Sequence, residues 1–73
     1  MEISKLRIYA YCVYRFDKEL TDEQVDVLYK CWEWLNENVY YEDLDLITFI
    51  NNIEDDTIEK GKTLDELIED WRL

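Results

Sequence analysis

From Thr21 onward, apolar residues recur every three to four positions as Val25, Leu28, Tyr29, Trp32, Leu35 and Val39. That spacing stacks them along one side of a helix. Thr21 followed three residues later by Gln24 forms a capping box, and Leu20 with Val25 forms the hydrophobic staple that fixes the chain's entry. A further segment, Asp43 to about Lys60, places Leu46, Phe49, Ile50 and Ile53 on one stripe, with Gly61 at the position past a helix end where a left-handed residue is wanted. Asp55-Asp56 is the point at which this helix would break early. Thr63 and Glu66 make a second capping box, opening a short helix whose inner face is Leu64, Leu67, Ile68 and Trp71.

The first sixteen residues carry two patterns at once. As a helix, they offer Ser4 as N-cap, Ile3 and Ile8 as a staple, and a stripe of Leu6, Ala10, Val13, Phe16 and Leu20. As a strand, Leu6, Ile8, Ala10, Cys12, Tyr14 and Phe16 alternate with Arg7, Tyr9, Tyr11, Val13 and Arg15, in residue types that favour strands. The helix is preferred because no second segment reads as a partner strand, and a lone strand leaves its backbone unpaired. The expected fold is therefore all-α, a bundle of three to four helices. The alternative is α+β, with residues 6–16 as a strand paired across a dimer.

Composition bounds this picture. Seventy-three residues, with no proline and no linker, make one domain near the lower limit for a self-sufficient core. A homodimer would supply further burial. Nearly half the residues are hydrophobic, which favours folding over disorder. Two cysteines, Cys12 and Cys31, are too few for a secreted disulfide scaffold and read as small core residues. The N-terminus lacks the apolar core of a signal peptide, so the expected location is the cytoplasm of the host cell. No apolar run approaches a membrane span. No histidine is present, which removes the usual ligand of zinc and the usual general base. No enzyme activity, metal or cofactor is expected.

Charge changes the reading most. Nineteen acids face eight bases, a net of −11, but residues 1–16 carry a net of +2, so the remainder carries −13. Between Lys30 and Lys60 there is no base at all, and nine acids: Glu33, Glu37, Glu42, Asp43, Asp45, Glu54, Asp55, Asp56 and Glu59. Such a field repels nucleic acid and anionic membrane and attracts basic surfaces. Paired acids such as Asp43/Asp45 and Asp55/Asp56 come without a nucleophile or a Gly-rich loop, and Asp43-Leu44-Asp45 lacks the third ligand and glycine of a calcium loop. The expected site is a partner-binding surface of those nine acids with Tyr40 and Tyr41, whose rings sit at a predicted helix break and would anchor an interface. Val27 and Trp34 lie opposite the apolar stripe; burial is expected for Val27 and left open for Trp34.

The stretch Leu35-Asn36-Glu37-Asn38-Val39-Tyr40-Tyr41-Glu42-Asp43 resembles the helix-to-acidic-turn segment of phage anti-restriction DNA mimics. That class of small acidic inhibitors also includes anti-CRISPR proteins and inhibitors of histone-like HU proteins. The resemblance implies a phage or mobile-element inhibitor that binds a basic nucleic-acid-binding protein of the host and touches no nucleic acid itself. The Tyr40-Tyr41 pair beside acids is also similar to that of immunity proteins of nuclease bacteriocins, which are small, acidic and four-helical. This chain lacks the proline that usually follows the pair there. The remaining alternative is a non-catalytic adaptor that binds through an apolar aromatic face.

Overall fold

The computed structural model describes residues 3–72. Four helices follow in order, α1 (Ile3–Phe16), α2 (Asp22–Asn38), α3 (Leu46–Lys60) and α4 (Leu64–Trp71), with no strand among the described residues. Helix α1 packs against α2 and α3, and α4 packs against the same two. The fold is thus the small all-α bundle that the periodicity predicts, and the strand alternative for residues 6–16 is set aside. A helix closes its own backbone hydrogen bonds, so α1 needs no partner strand.

The face that α1 buries is the predicted one only in part: Phe16 packs on the core and Leu20, in the loop beyond, is buried, but the rest of the stripe is not. Ile8 and Cys12 point into the core with Tyr9, Tyr11 and Phe16 packed around them, whereas Leu6 and Ala10 are exposed. Ser4 lies inside the helix rather than capping it, and Ile3 is exposed and forms no staple. The physical reason is that α1 is apolar nearly all round, so helical spacing alone offers two stripes. The stripe facing α2 and α3 wins. Asp17 ends the helix with left-handed φ 51° and donates its N–H to the Val13 carbonyl at 3.0 Å; aspartate accepts this conformation better than most residues.

Both predicted capping boxes form. The Gln24 N–H reaches Thr21 Oγ1 at 3.1 Å while the Thr21 N–H reaches Gln24 Oε1 at 2.9 Å. Thr63 and Glu66 do the same for α4 at 3.2 and 3.0 Å. Leu20 and Val25 are both buried, as the staple requires. Helix α3 begins later than expected: Asp45 is its N-cap, accepting the Thr48 N–H at 2.7 Å, so Asp43 and Leu44 belong to the preceding loop. It also runs unbroken through Asp55-Asp56 to Gly61, which takes φ 64° and returns its N–H to the Thr57 carbonyl. Val27 is partly buried against the core, Val39 is exposed at the end of α2, and Trp34 is exposed. Cross-ties at one end of the bundle hold α4 to α2: Arg72 pairs with Glu23, and Gln24 Nε2 donates to Asp65 at 2.7 Å.

Among the described residues, thirteen apolar ones form the buried core, a small reserve against chain entropy, so each cap matters. Thr63→Ala is expected to lower unfolding free energy by about 1 kcal/mol in urea titrations.

The carboxyls of Asp26, Asp45, Asp65 and Glu66 are all held below their ordinary range. The main causes are a hydrogen bond from Lys5, the Thr48 backbone N–H, a hydrogen bond from Lys18, and the Thr63 backbone N–H, respectively. A depressed carboxyl stabilises the fold above its unfolded value and loses that contribution as pH falls through the folded one. Melting temperature should therefore change little from pH 7 to about 5 and fall once pH drops below the ordinary Asp value of 3.8. Thermal denaturation monitored by circular dichroism across this range checks the onset.

Candidate acidic interaction surface

The loop between α2 and α3 is held by a clip that links Trp32, Asn36 and Leu44. Asn36 is the buried polar side chain of the described core, and each of its groups is used. Its Nδ2 donates to the Trp32 carbonyl at 3.2 Å, its Oδ1 accepts the Leu44 N–H at 2.9 Å, and its backbone carbonyl accepts the Glu42 N–H at 2.7 Å. The Trp32 indole N–H donates to the Leu44 carbonyl at 2.9 Å. Both backbone groups of Leu44 are thus satisfied by side chains of α2, which lets the leucine side chain enter the core.

Returning the chain from the end of α2 to that anchor forces a sharp turn. Tyr41 and Glu42 take successive left-handed conformations, φ 50° and 72°, each costing a non-glycine residue on the order of 1–2 kcal/mol. The Asp43 N–H closes the turn on the Tyr40 carbonyl at 3.0 Å.

On this scaffold Glu33, Glu37 and Glu42 surround a shallow open groove whose floor is Trp32 and Asn36. Glu33 and Glu37 are one helical turn apart on the exposed side of α2. Asp43 and both tyrosines are exposed at the turn, Tyr41 at 79%, and Trp34 stands exposed on α2 at 57%. The groove and the turn beside it form a rim of four acids, and three amphipathic rings are exposed on the same two elements.

The surface drawn along the sequence is divided in space. Glu33, Glu37, Tyr40, Tyr41, Glu42 and Asp43 come together at one end of α2, while Asp45 is engaged as the α3 cap. Glu54, Asp55, Asp56 and Glu59 lie on the far half of α3, from about 14 Å beyond Asp45 along the axis. Glu54 is compensated as well: Arg15 of α1 reaches it at 3.4 Å and donates to Asn51 at 2.6 Å. The base-free interval is a property of the sequence that α1 interrupts once the chain folds.

Elsewhere Lys5 pairs with Asp26, Lys18 with Asp65, Lys62 with Asp70, and Arg72 with Glu23 and Glu69, while Arg7, Lys30 and Lys60 form no ion pair among the described residues. None of these pairs involves Glu33, Glu37, Glu42 or Asp43. Among the described residues the acids of the rim form no ion pair, and their charge is presented outward.

The remaining chemistry is muted. Burial pushes the Cys12 thiol up to about 12 and the Cys31 thiol upward, so neither offers a thiolate near neutral pH. Among the described residues no three cysteines and acids converge as metal ligands, and no helix is long and apolar enough to cross a membrane. No family model matches the chain, and neither a curated protein nor a solved structure does.

Sequence reasoning missed the clip. Its trace is Asn36 itself, a polar residue four positions after Trp32 on the inward side of α2, where a buried amide requires partners. Asn36→Ala would leave the Leu44 N–H buried and unpaired, lowering stability by about 2 kcal/mol. Glu42→Gly, which removes a strained side chain, should instead raise it by about 1 kcal/mol. Urea denaturation of the two variants distinguishes the opposite signs.

Proposed function

We propose that this protein is a non-catalytic inhibitor of phage or mobile-element type that acts inside the host cell. It binds a basic, nucleic-acid-engaging protein through the rim of Glu33, Glu37, Glu42 and Asp43. The observation that carries this reading is the placement of charge: the chain's ion pairs lie away from the rim, whose acids form none among the described residues. Acids one helical turn apart can follow a row of Lys or Arg that otherwise holds successive phosphates. Binding there excludes the nucleic acid by competition, and the field of the rim steers the encounter. The resemblance of residues 35–43 to anti-restriction mimics supports the same mechanism. A nuclease as target, as for immunity proteins, uses the same chemistry, with Tyr40 and Tyr41 as anchors.

A second reading is favoured by the exposure of Trp34 and Tyr41: an adaptor that binds through aromatic side chains, with the acids serving solubility. The two differ in salt dependence. In a fluorescence assay, this protein would compete with a labelled DNA duplex for purified basic proteins: a histone-like protein, a restriction enzyme and a CRISPR effector. Mimicry predicts displacement that weakens about tenfold or more between roughly 50 and 200 mM salt. Changing Glu33, Glu37, Glu42 and Asp43 together to amides should abolish it. Failure to displace duplex from any of the three, or potency indifferent to salt and to the amides, would overturn the reading. Salt-indifferent binding lost in Trp34→Ala would establish the adaptor instead.

A further inference from the structure

We propose that the outward face of α1 is a homodimer interface that joins two copies of this chain through an isologous α1–α1 contact. Ile3, Leu6, Ala10 and Tyr14 recur on α1 at helical spacing and are all exposed, Tyr14 at 87%. They form an apolar stripe opposite the buried Ile8 and Cys12. The flank between this stripe and the core is already used, since Arg15 bonds from it to Asn51 and Glu54 of α3.

Charge selects a second copy as the occupant. Each copy carries −11, so most approaches of two copies bring carboxylates together. Between Ile3 and Phe16 there is no acid, only Lys5, Arg7 and Arg15. Lys5 and Arg15 are already paired with Asp26 and Glu54. Two copies can therefore meet along α1 without opposing acids. In an antiparallel crossing, Ala10 lies at the two-fold axis, where its small side chain lets the helices approach. Leu6 and Arg7 then face Tyr14 of the partner copy, a position suited to cation–π contact with Arg7, which has no ion pair among the described residues. An α1 of 14 residues is about 21 Å long and would fall short of the roughly 800 Å² per partner of a stable interface. The dimer is therefore weak and is populated only as concentration rises.

This inference does not depend on the acidic rim, and its salt response is opposite. Raising salt screens the repulsion between two acidic copies and leaves apolar burial intact, so the dimer should hold or tighten. Sedimentation equilibrium from about 1 to about 500 μM, at low and high salt, should show mass rising from one chain to two. Leu6→Glu and Ala10→Glu should each raise the dissociation constant about tenfold or more, with helix content unchanged by circular dichroism. Tyr14→Ser, at a site exposed enough to leave folding untouched, should weaken it in the same direction, and Glu37→Gln should leave it unaltered. One-chain mass at every concentration and salt would overturn the proposal. So would a dimer indifferent to all three α1 variants, or assemblies larger than two chains.

Discussion

The capture of Leu44 by Trp32 and Asn36 is the interaction on which the arrangement of α2, α3 and the acidic rim depends. A leucine that enters the core from a loop brings its peptide N–H and C=O away from water, and each would cost free energy if left unpaired. Two side chains of α2 take both groups, so the loop is bonded to the helix it has just left. Asp45 then begins α3 immediately after that anchor. The path of residues 39–45 is thereby fixed at both ends.

Eight bases among nineteen acids impose the second constraint. A base that bridges two helices relieves repulsion and ties elements together, although each exposed pair is worth little alone. Here Lys5 joins α1 to α2, Arg15 joins α1 to α3, and Arg72 joins the end of α4 to the start of α2. Five of the eight bases, Lys5, Arg15, Lys18, Lys62 and Arg72, are used on the bundle itself. What remains concentrated at the opposite end of α2 is negative.

Local chemistry was readable in the sequence wherever one residue type has one physical use. Thr21 with Gln24, Thr63 with Glu66, and Gly61 each mark a boundary because caps and left-handed positions demand those side chains. The stripes of α3 and α4 were readable because their opposite faces are polar. The orientation of α1 was not: apolar residues cover most of its circumference, and the choice of face belongs to α2 and α3. The start of α3 was missed because Asp43 and Asp45 both qualify as caps, and only the burial of Leu44 decides between them. For the surface, the rim at Glu33, Glu37, Glu42 and Asp43 follows from sequence neighbourhood. The separation of Glu54 to Glu59 does not, since the partner that neutralises Glu54 is Arg15, 39 residues earlier.

The turn that carries the rim is more expensive than a turn needs to be. Glycine adopts positive φ freely, yet Tyr41 and Glu42 stand at the two strained positions. In a domain whose net stability is a small difference between large terms, a cost on the order of 1–2 kcal/mol per residue is appreciable. The clip can bear that cost because its hydrogen bonds are wholly or partly shielded from water, and breaking the buried one, from the Leu44 N–H to Asn36, would leave an unpaired group. If the segment served only to reverse the chain, two glycines would do so with less strain. Tyr41 and Glu42 instead place an aromatic ring and a carboxylate outside the bundle on a held backbone. In the proposed interaction, a partner meeting them would order less chain than it would on a flexible loop, so the strain stored on folding would reduce the entropy lost on binding.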